Sequence, residues 1–278
     1  MSLSQESRGD RRLSADEAQR RANTATWRRG GFVHWYARRR LRPPESALFE
    51  RHRAALGGRV LELGCGGGRI AGNLMPMAAT VHGMDIAADM VDYCRRTYLG
   101  ATFSEGDIRD LSGFETASWD AIVAGFNVVD VLSHAERERF LDEMHRLLAP
   151  GGLLIFSSHN LACAPLLRGP LQNLTRNPVR IANRLLRLPR SLPNHRRLSR
   201  QQRIEDGYAI LNDEAHDYSL LHYYITRDGQ QEQLAAHGFE LLDALDLDGN
   251  PVGPGQDALG CHELHYAARR VETARAGE

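Results

Sequence analysis

The sequence predicts an α/β domain built on a doubly wound, mostly parallel sheet. Three observations predict it. Short apolar strands alternate with helical periodicity over residues 60–157, a glycine-rich turn follows the first strand, and Pro150-Gly151-Gly152 breaks a helix just before another apolar run. At 278 residues the chain suits one large domain with an elaborated lid.

Residues 1–22 are polar and read as frayed, whereas Trp27, Phe32, Trp35 and Tyr36 gather aromatics ahead of the core. Pro43-Pro44 stops whatever helix precedes, and residues 45–56 read as a helix with Leu48, Phe49 and His52 on one side, ended by Gly57-Gly58. Residues 60–63 form a strand, 69–77 a helix, 80–85 a strand, 88–98 a helix and 101–104 a short strand. Residues 119–126 form a fourth strand, whose Ala-Ile-Val-Ala centre implies burial on both faces. Phe140, Leu141, Met144 and Leu148 recur at helical spacing over 135–148, and 153–157 is the fifth strand. This alternation implies parallel pairing through right-handed crossovers.

From residue 161 to 213 the pattern stops. Five prolines and many arginines mark an inserted lid with one amphipathic helix at 179–188. Regularity resumes with a helix at 227–237, and residues 239–246 and 262–268 read as an antiparallel closing pair. The organisation is therefore an N-terminal cap segment (1–44), a core (45–160), an arginine-rich lid inserted after the fifth strand (161–225) and the rest of the core sheet (226–270).

Composition excludes several chemistries. All 35 basic residues are arginine, so a Schiff-base lysine and a Walker A loop are both impossible. Cys65, Cys94, Cys163 and Cys261 are scattered, which fits reduced thiols and not a disulfide frame or a cysteine-built zinc site. No apolar run approaches the ~18 residues of a membrane span, and residues 1–12 lack the apolar centre of a secretory signal, so the expected location is cytoplasmic. Formal net charge is zero but unevenly distributed: residues 161–205 hold ten arginines against Glu205 alone, whereas residues 206–278 hold four against fourteen acids.

The informative segment is the run ValLeuGluLeuGlyCysGlyGlyGlyArg at 60–69. Gly64, Gly66 and Gly68 follow the strand in G-x-G-x-G spacing, where a sharp turn lets a ligand lie against bare backbone. A nicotinamide fingerprint would place its third glycine at position 69, which is arginine. The run resembles motif I of the class I S-adenosylmethionine-dependent methyltransferases, over residues 58–160 and, more loosely, 226–270. The resemblance implies a Rossmann-like fold with S-adenosylmethionine as cofactor and Glu62 and the three glycines in its site. It implies that Asp85, at the end of the second strand, grips the ribose hydroxyls, a charge-assisted clamp, with Ile86 and Met90 beside the adenine. Asp107, with Ile108 as its apolar neighbour, matches the acid that accepts from the adenine amine, and Asn127 falls where family members contact the methionine portion. The resemblance also implies that the N-terminal segment with Trp27, Phe32, Trp35 and Tyr36 closes over cofactor and substrate, with packing of a cap helix as the alternative. No metal is assigned.

The methyl acceptor is expected beyond the carboxyl ends of the strands. His159 is the first candidate for acceptor binding or general base, with loop capping as its structural alternative. Residues 212–224 are dense in proton-handling groups: His222, on one strand face with Tyr224, and Tyr223 opposite are candidates to cover the acceptor. His216 with Asp217 could form a base and its orienter, and packing of the lid onto the sheet is the plain alternative for all of them. The ten arginines from Arg168 to Arg203 are compatible with an acidic acceptor, with RNA, with a membrane-surface helix carrying Ile181, Leu185 and Leu188, or with neutralisation by the acidic C-terminal block. Without interleaved aromatics for base stacking, nucleic acid is the weaker partner. The expected activity is methyl transfer to an oxygen or nitrogen of a small molecule, in secondary-metabolite or surface-glycan biosynthesis. RNA methylation and a non-catalytic cofactor-binding role are the alternatives.

Overall fold

The computed structural model describes residues 14–27, 40–164, 169–171 and 177–271. Its elements are α1 (Ala15–Trp27), α2 (Pro43–Arg51), α3 (Arg53–Leu56), β1 (Arg59–Leu63), α4 (Arg69–Leu74), β2 (Thr80–Asp85), α5 (Ala88–Thr97), β3 (Thr102–Glu105), β4 (Trp119–Ala124), α6 (His134–Leu147), β5 (Leu148–Asn160), α7 (Pro178–Leu198), β6 (Arg203–Ile204), β7 (Tyr208–Leu211), β8 (His222–Ile225), α8 (Arg227–Ala236), β9 (Phe239–Leu245) and β10 (Glu263–Arg270). Strands β3-β2-β1-β4-β5 are parallel neighbours, and β10 returns antiparallel between β5 and β9. The doubly wound, mostly parallel sheet with an antiparallel closing pair is as expected.

The sheet is buried on both faces. Leu61, Leu63, Ile122, Leu154 and Tyr266 pack against α6 and α8, and Val60, Ala121, Val123, Ile155 and Ala267 pack against α2, α4 and α5. This is why the strands read as nearly continuous apolar runs. Helix α6 starts at a capping box in which Ser133 and Glu136 satisfy each other's backbone N–H. Pro43 and Pro44 open α2, where a missing N–H costs nothing; residues 28–39 lie outside the described residues.

Two expectations are corrected. The insertion does not interrupt the sheet; it extends it. Strand β5 is 13 residues long and outruns β4, which leaves the backbone of His159 and Asn160 without a partner on that side. Strand β8 pairs there, parallel, at His159↔Tyr224 and Asn160↔Ile225, and carries β7 and β6 with it as an antiparallel meander. Buried backbone groups must pair somewhere, and the lid supplies the partner. Within the lid, α7 also continues through Pro189 and Pro193 to Leu198; both prolines are exposed, so water reaches the carbonyls they leave unbonded.

Residues 15–22, expected to be frayed, are helical. Helix α1 docks through polar side chains instead of an apolar face. Gln19 donates to Leu132 O (3.1 Å), Asn23 donates to Val131 O (2.7 Å) and Leu221 O (2.9 Å), and Leu221 N donates back to Asn23 (3.0 Å). These bonds join the helix to the loop after β4 and to the lid. Phe32, Trp35 and Tyr36 lie outside the described residues. No helix among those residues is long and apolar enough to cross a membrane.

Replacing Asn23 by Leu keeps volume but strands buried backbone donors and acceptors. We expect it to cost about 1–3 kcal/mol and to expose α1 to protease before the core unfolds. Unchanged proteolysis and an unchanged urea midpoint would remove α1 as a pinned element.

Candidate functional site

At the end of β1 the chain turns through Gly64 (φ +68°), Gly66 (φ +52°) and Gly68 (φ +74°), left-handed conformations that side chains resist. A Cβ on Gly64 would also lie 2.4 Å from Val128 Cγ2. The turn delivers the Gly66 N–H to Asp85 Oδ2 (2.8 Å), and the Ala87 N–H binds Asp85 Oδ1 (2.9 Å). Burial pushes the Asp85 carboxyl above its ordinary pKa, against the pull of these backbone donors. A carboxylate has about four acceptor positions, so these backbone donors leave acceptor capacity for a ligand.

Above this turn lies a largely apolar cavity. Glu62, Gly64, Gly66, Asp85, Ile86, Met90, Asp107 and Ile108 line it. Two expected residues stand elsewhere. Gly68 packs its backbone against Tyr98, where a Cβ would come within 2.3 Å of the ring. The Asn127 side chain turns away, donating to Glu263 Oε2 (3.1 Å) and towards His159 Nε2 (3.3 Å), and its neighbours Phe126 and Val128 form the wall. Asn127 and Phe126 both hold left-handed backbone (φ +57° and +59°), and that strained corner at the end of β4 sends alternate side chains into and out of the cavity.

The cavity wall contains residues that sequence reasoning did not place there. Asn23 and Thr24 of α1 close one side beside Trp27, which the resemblance places over the cofactor; α1 ends 37 residues before Gly64, and its polar residues carry no local signal of that contact. Arg109 donates to both oxygens of Asp107 (2.8 and 2.5 Å) and to Thr24 Oγ1 (2.7 Å), so the carboxylate expected to meet an adenine amine is engaged by a neighbour two residues on. Arg69, which breaks the dinucleotide pattern, is buried and forks onto Glu45 of α2 (2.5 and 2.7 Å). Glu62 is fully buried; burial raises its carboxyl well above the ordinary range, and its Oε2 has no hydrogen-bond partner among the described residues. An acceptor atom stranded in a cavity wall suits a cationic or N–H-bearing ligand.

Beside the cavity, the buried Asp130 holds His159. Its Oδ2 accepts from the His159 backbone N–H (2.7 Å) and lies 2.6 Å from His159 Nδ1, while Oδ1 accepts from Arg137 (2.8 Å) and Ser158 (2.6 Å). Burial alone would raise the Asp130 carboxyl, but His159 and Arg137 outweigh it and hold it low. An ionised carboxylate makes Nδ1 the protonated nitrogen and leaves Nε2 as the free base. Asp130 was not singled out from the sequence, although a lone acid inside Val128-Val129-Asp130-Val131-Leu132 is the signal that pointed to it.

The lid brings a second pair against the first. His222 and His159 rings stack at 5.0 Å, and His222 Nδ1 lies 2.7 Å from Asp213 Oδ2, which also accepts from the Tyr224 hydroxyl (2.7 Å). Burial pulls the His222 pKa down, but the Asp213 charge and hydrogen bond raise it overall; Asp213 is held far below the ordinary carboxylate range by His222. His159, Asp213 and His222 place ligand-capable atoms within 4.8 Å of one another. Imidazole coordinates in its ring plane, and two stacked rings aim their lone pairs side by side, an arrangement suited to proton handling.

The other two lid candidates are elsewhere. Tyr223, fully buried, faces the opposite side of β8: its hydroxyl lies 2.9 Å from His134 Nδ1, and the Arg137 guanidinium covers its ring at 4.6 Å. It is a packing residue because strand alternation turns it from the site. His216 lies against Trp27, ring centroids 4.8 Å apart, and the Asp217 carboxylate reaches Arg187 (3.2 Å). The expected His216–Asp217 couple gives way to a lid contact, in a left-handed run through His216, Asp217 and Tyr218 (φ +49°, +58° and +60°).

Comparisons with known proteins agree with this architecture. Residues 60–152 match a family model described as Methyltransferase domain. A fatty-acid O-methyltransferase from Mycolicibacterium smegmatis is 36% identical over 105 residues, covering 36% of this chain and 37% of that protein. A ubiquinone biosynthesis O-methyltransferase from Xanthomonas oryzae pv. oryzae is 30% identical over 109 residues, covering 37% and 44%. The chain thus spans less than half the length of these relatives. Among solved structures, a Burkholderia thailandensis 1,6-didemethyltoxoflavin-N1-methyltransferase, with that compound and S-adenosylhomocysteine bound, aligns over 95% of this chain and 93% of its own (TM-score 0.58, 17% identity). The CcbJ methyltransferase from Streptomyces caelestis covers 90% and 99% (TM-score 0.56, 18% identity). The matched segment is similar to a methyltransferase domain, and the overall fold is the Rossmann-like one those structures share.

The His222–Asp213 pair sets a pH dependence of stability. A raised histidine pKa contributes in full below its ordinary value of 6.5 and is lost as pH rises through the raised value; the depressed Asp213 contributes above its ordinary 3.8 and is lost as pH falls. The free-energy gap between the wild type and Asp213→Asn should therefore be largest near about pH 5–6 and shrink towards alkaline pH. Urea melts showing a pH-independent gap would contradict the ion pair.

Proposed function

We propose that the chain transfers a methyl group from S-adenosylmethionine to an oxygen or nitrogen of a small-molecule acceptor. The observation that carries this is the placement of an Asp130-oriented His159 against Asn127, whose neighbours Phe126 and Val128 line the glycine-turn cavity. The stranded Glu62 Oε2 and the remaining acceptor capacity of Asp85 fit the cofactor. Glu62 would hold the ammonium of its methionine portion and Asp85 its ribose hydroxyls, with Ile86 and Met90 along the adenine. When bound, the cofactor supplies an electrophilic methyl group on a sulfonium.

The protein's own part is to position, dehydrate and deprotonate. Phe126, Val128, Val131, Leu132 and Trp27 make the wall apolar and exclude water. His159 Nε2 accepts the proton of the acceptor O–H or N–H, and Asp130 stabilises the resulting imidazolium through Nδ1–H, as an orienting carboxylate does for any histidine base. The four unpaired cysteines support a reducing, cytoplasmic setting.

Asp85→Ala should weaken S-adenosylmethionine binding by about 1–3 kcal/mol, measured by calorimetry on the folded variant; undiminished affinity would contradict its assignment. His159→Ala should lower kcat by roughly 10²–10⁴ and leave cofactor affinity nearly intact. The assay is S-adenosylhomocysteine release during incubation with metabolite fractions. Undiminished kcat in His159→Ala would show an acceptor that arrives already ionised, such as a carboxylate. Tight cofactor binding with no release from any fraction would leave a sensor in place of an enzyme.

A further inference from the structure

Helix α7 presents an apolar stripe to water. Val179, Ile181, Leu185 and Leu186 are 67%, 42%, 59% and 79% exposed. At about 100° per residue they lie roughly 80–140° around the helix from Ser191 and Leu198, the two residues buried against the protein among its described side chains. The same helix has six arginines and no acidic residue. Arg184 and Arg187 are braced by Glu214 (3.3 Å) and Asp217 (3.2 Å), which fasten the helix to the lid. Arg190, Arg196 and Arg197 are exposed, and no carboxylate among the described residues reaches them. The acidic C-terminal block thus neutralises only part of the basic lid.

We propose that α7 is a docking helix that lies in the surface plane of a membrane containing anionic lipid. The charge pattern selects this occupant. A second copy of the chain would set unneutralised arginines against arginines, and RNA would leave the aliphatic stripe in water with no aromatic in it to stack a base. A bilayer takes both halves: the leucines sink below the headgroups while the flanking arginines meet lipid phosphates. Lying flat is the geometry open to a helix too basic to span. Through Arg187 and Asn194, both on Asp217, α7 is braced on the lid turn that carries His216 against Trp27 of the cavity wall, so docking brings that wall to the lipid surface. The inference is independent of methyl transfer.

The test is co-sedimentation of the full chain with vesicles, without cofactor. The wild type should bind phosphatidylcholine–phosphatidylglycerol vesicles, bind phosphatidylcholine alone at least ~10-fold more weakly, and release in high salt. Leu185→Glu with Leu186→Glu should reduce binding by ~10-fold or more with an unchanged melting temperature, since both side chains are already in water. Arg190→Gln, Arg196→Gln and Arg197→Gln together should weaken binding and flatten its salt dependence. Equal sedimentation of the wild type and the double glutamate variant would overturn the proposal. So would absence of binding to the anionic vesicles, or a wild-type dimer that the double glutamate variant converts to monomer.

Discussion

The buried carboxylate of Asp130 is the constraint on which the rest of this structure depends. It has no contact with water, yet it receives the guanidinium of Arg137, the hydroxyl of Ser158, the backbone N–H of His159 and the imidazole Nδ1 of His159. An unpaired charge at this depth would be untenable, so the four donors and the carboxylate are mutually obligatory. Arg137 in turn reaches Gln230 and Gln233 of α8 and covers the Tyr223 ring on β8. One acid therefore ties the loop after β4 to α6, β5, α8 and the lid, and it fixes one nitrogen of His159 while the other meets the Asn127 amide.

The lid is built on the same logic of compelled pairing. Strand β5 runs past β4 because β10 supports its other edge along its length, and the overhang demands a partner, which β8 becomes. That pairing places His222 and Tyr224 over His159, with Asp213 between them as counter-charge. Helix α1 closes the far side through amide side chains that satisfy loop and lid backbone groups. Cavity, base and cap are thus joined by hydrogen bonds to buried backbone, and the left-handed corners at Phe126-Asn127 and His216–Tyr218 mark where the chain bends to make those bonds.

The core was readable from residue order, and most of the residues that line the glycine-turn cavity were readable from residue order together with the family resemblance. Strand–helix alternation, the glycines at 64, 66 and 68, and the acids at 85 and 107 act over short stretches, because a parallel sheet needs apolar runs and a ligand-bearing turn needs positive φ whatever surrounds it. Arg69 also excluded the dinucleotide pattern by position, though its bond to Glu45 could not be foreseen. Element ends were less faithful. The fifth strand extends to Asn160 because partners distant in sequence supply its ladder, and α7 passes two prolines that local rules treat as a stop.

What only the tertiary structure decided is who pairs with whom across the site. From composition, Asp130 was one acid in an apolar stretch, Asp213 one of many in an acidic block, and the polar α1 had no visible core face. Their roles come from neighbours 29, 9 and 198 residues away. His159 and His222 were candidates on chemistry, and folding brought them together; Tyr223 and His216 were candidates on the same grounds and Asn127 by resemblance, and folding turned all three elsewhere. The physical reason is one of range. Periodicity and backbone preference are local and leave their mark on the sequence, whereas the satisfaction of a buried charge depends on strand order and register, which no short stretch of this chain encodes by itself.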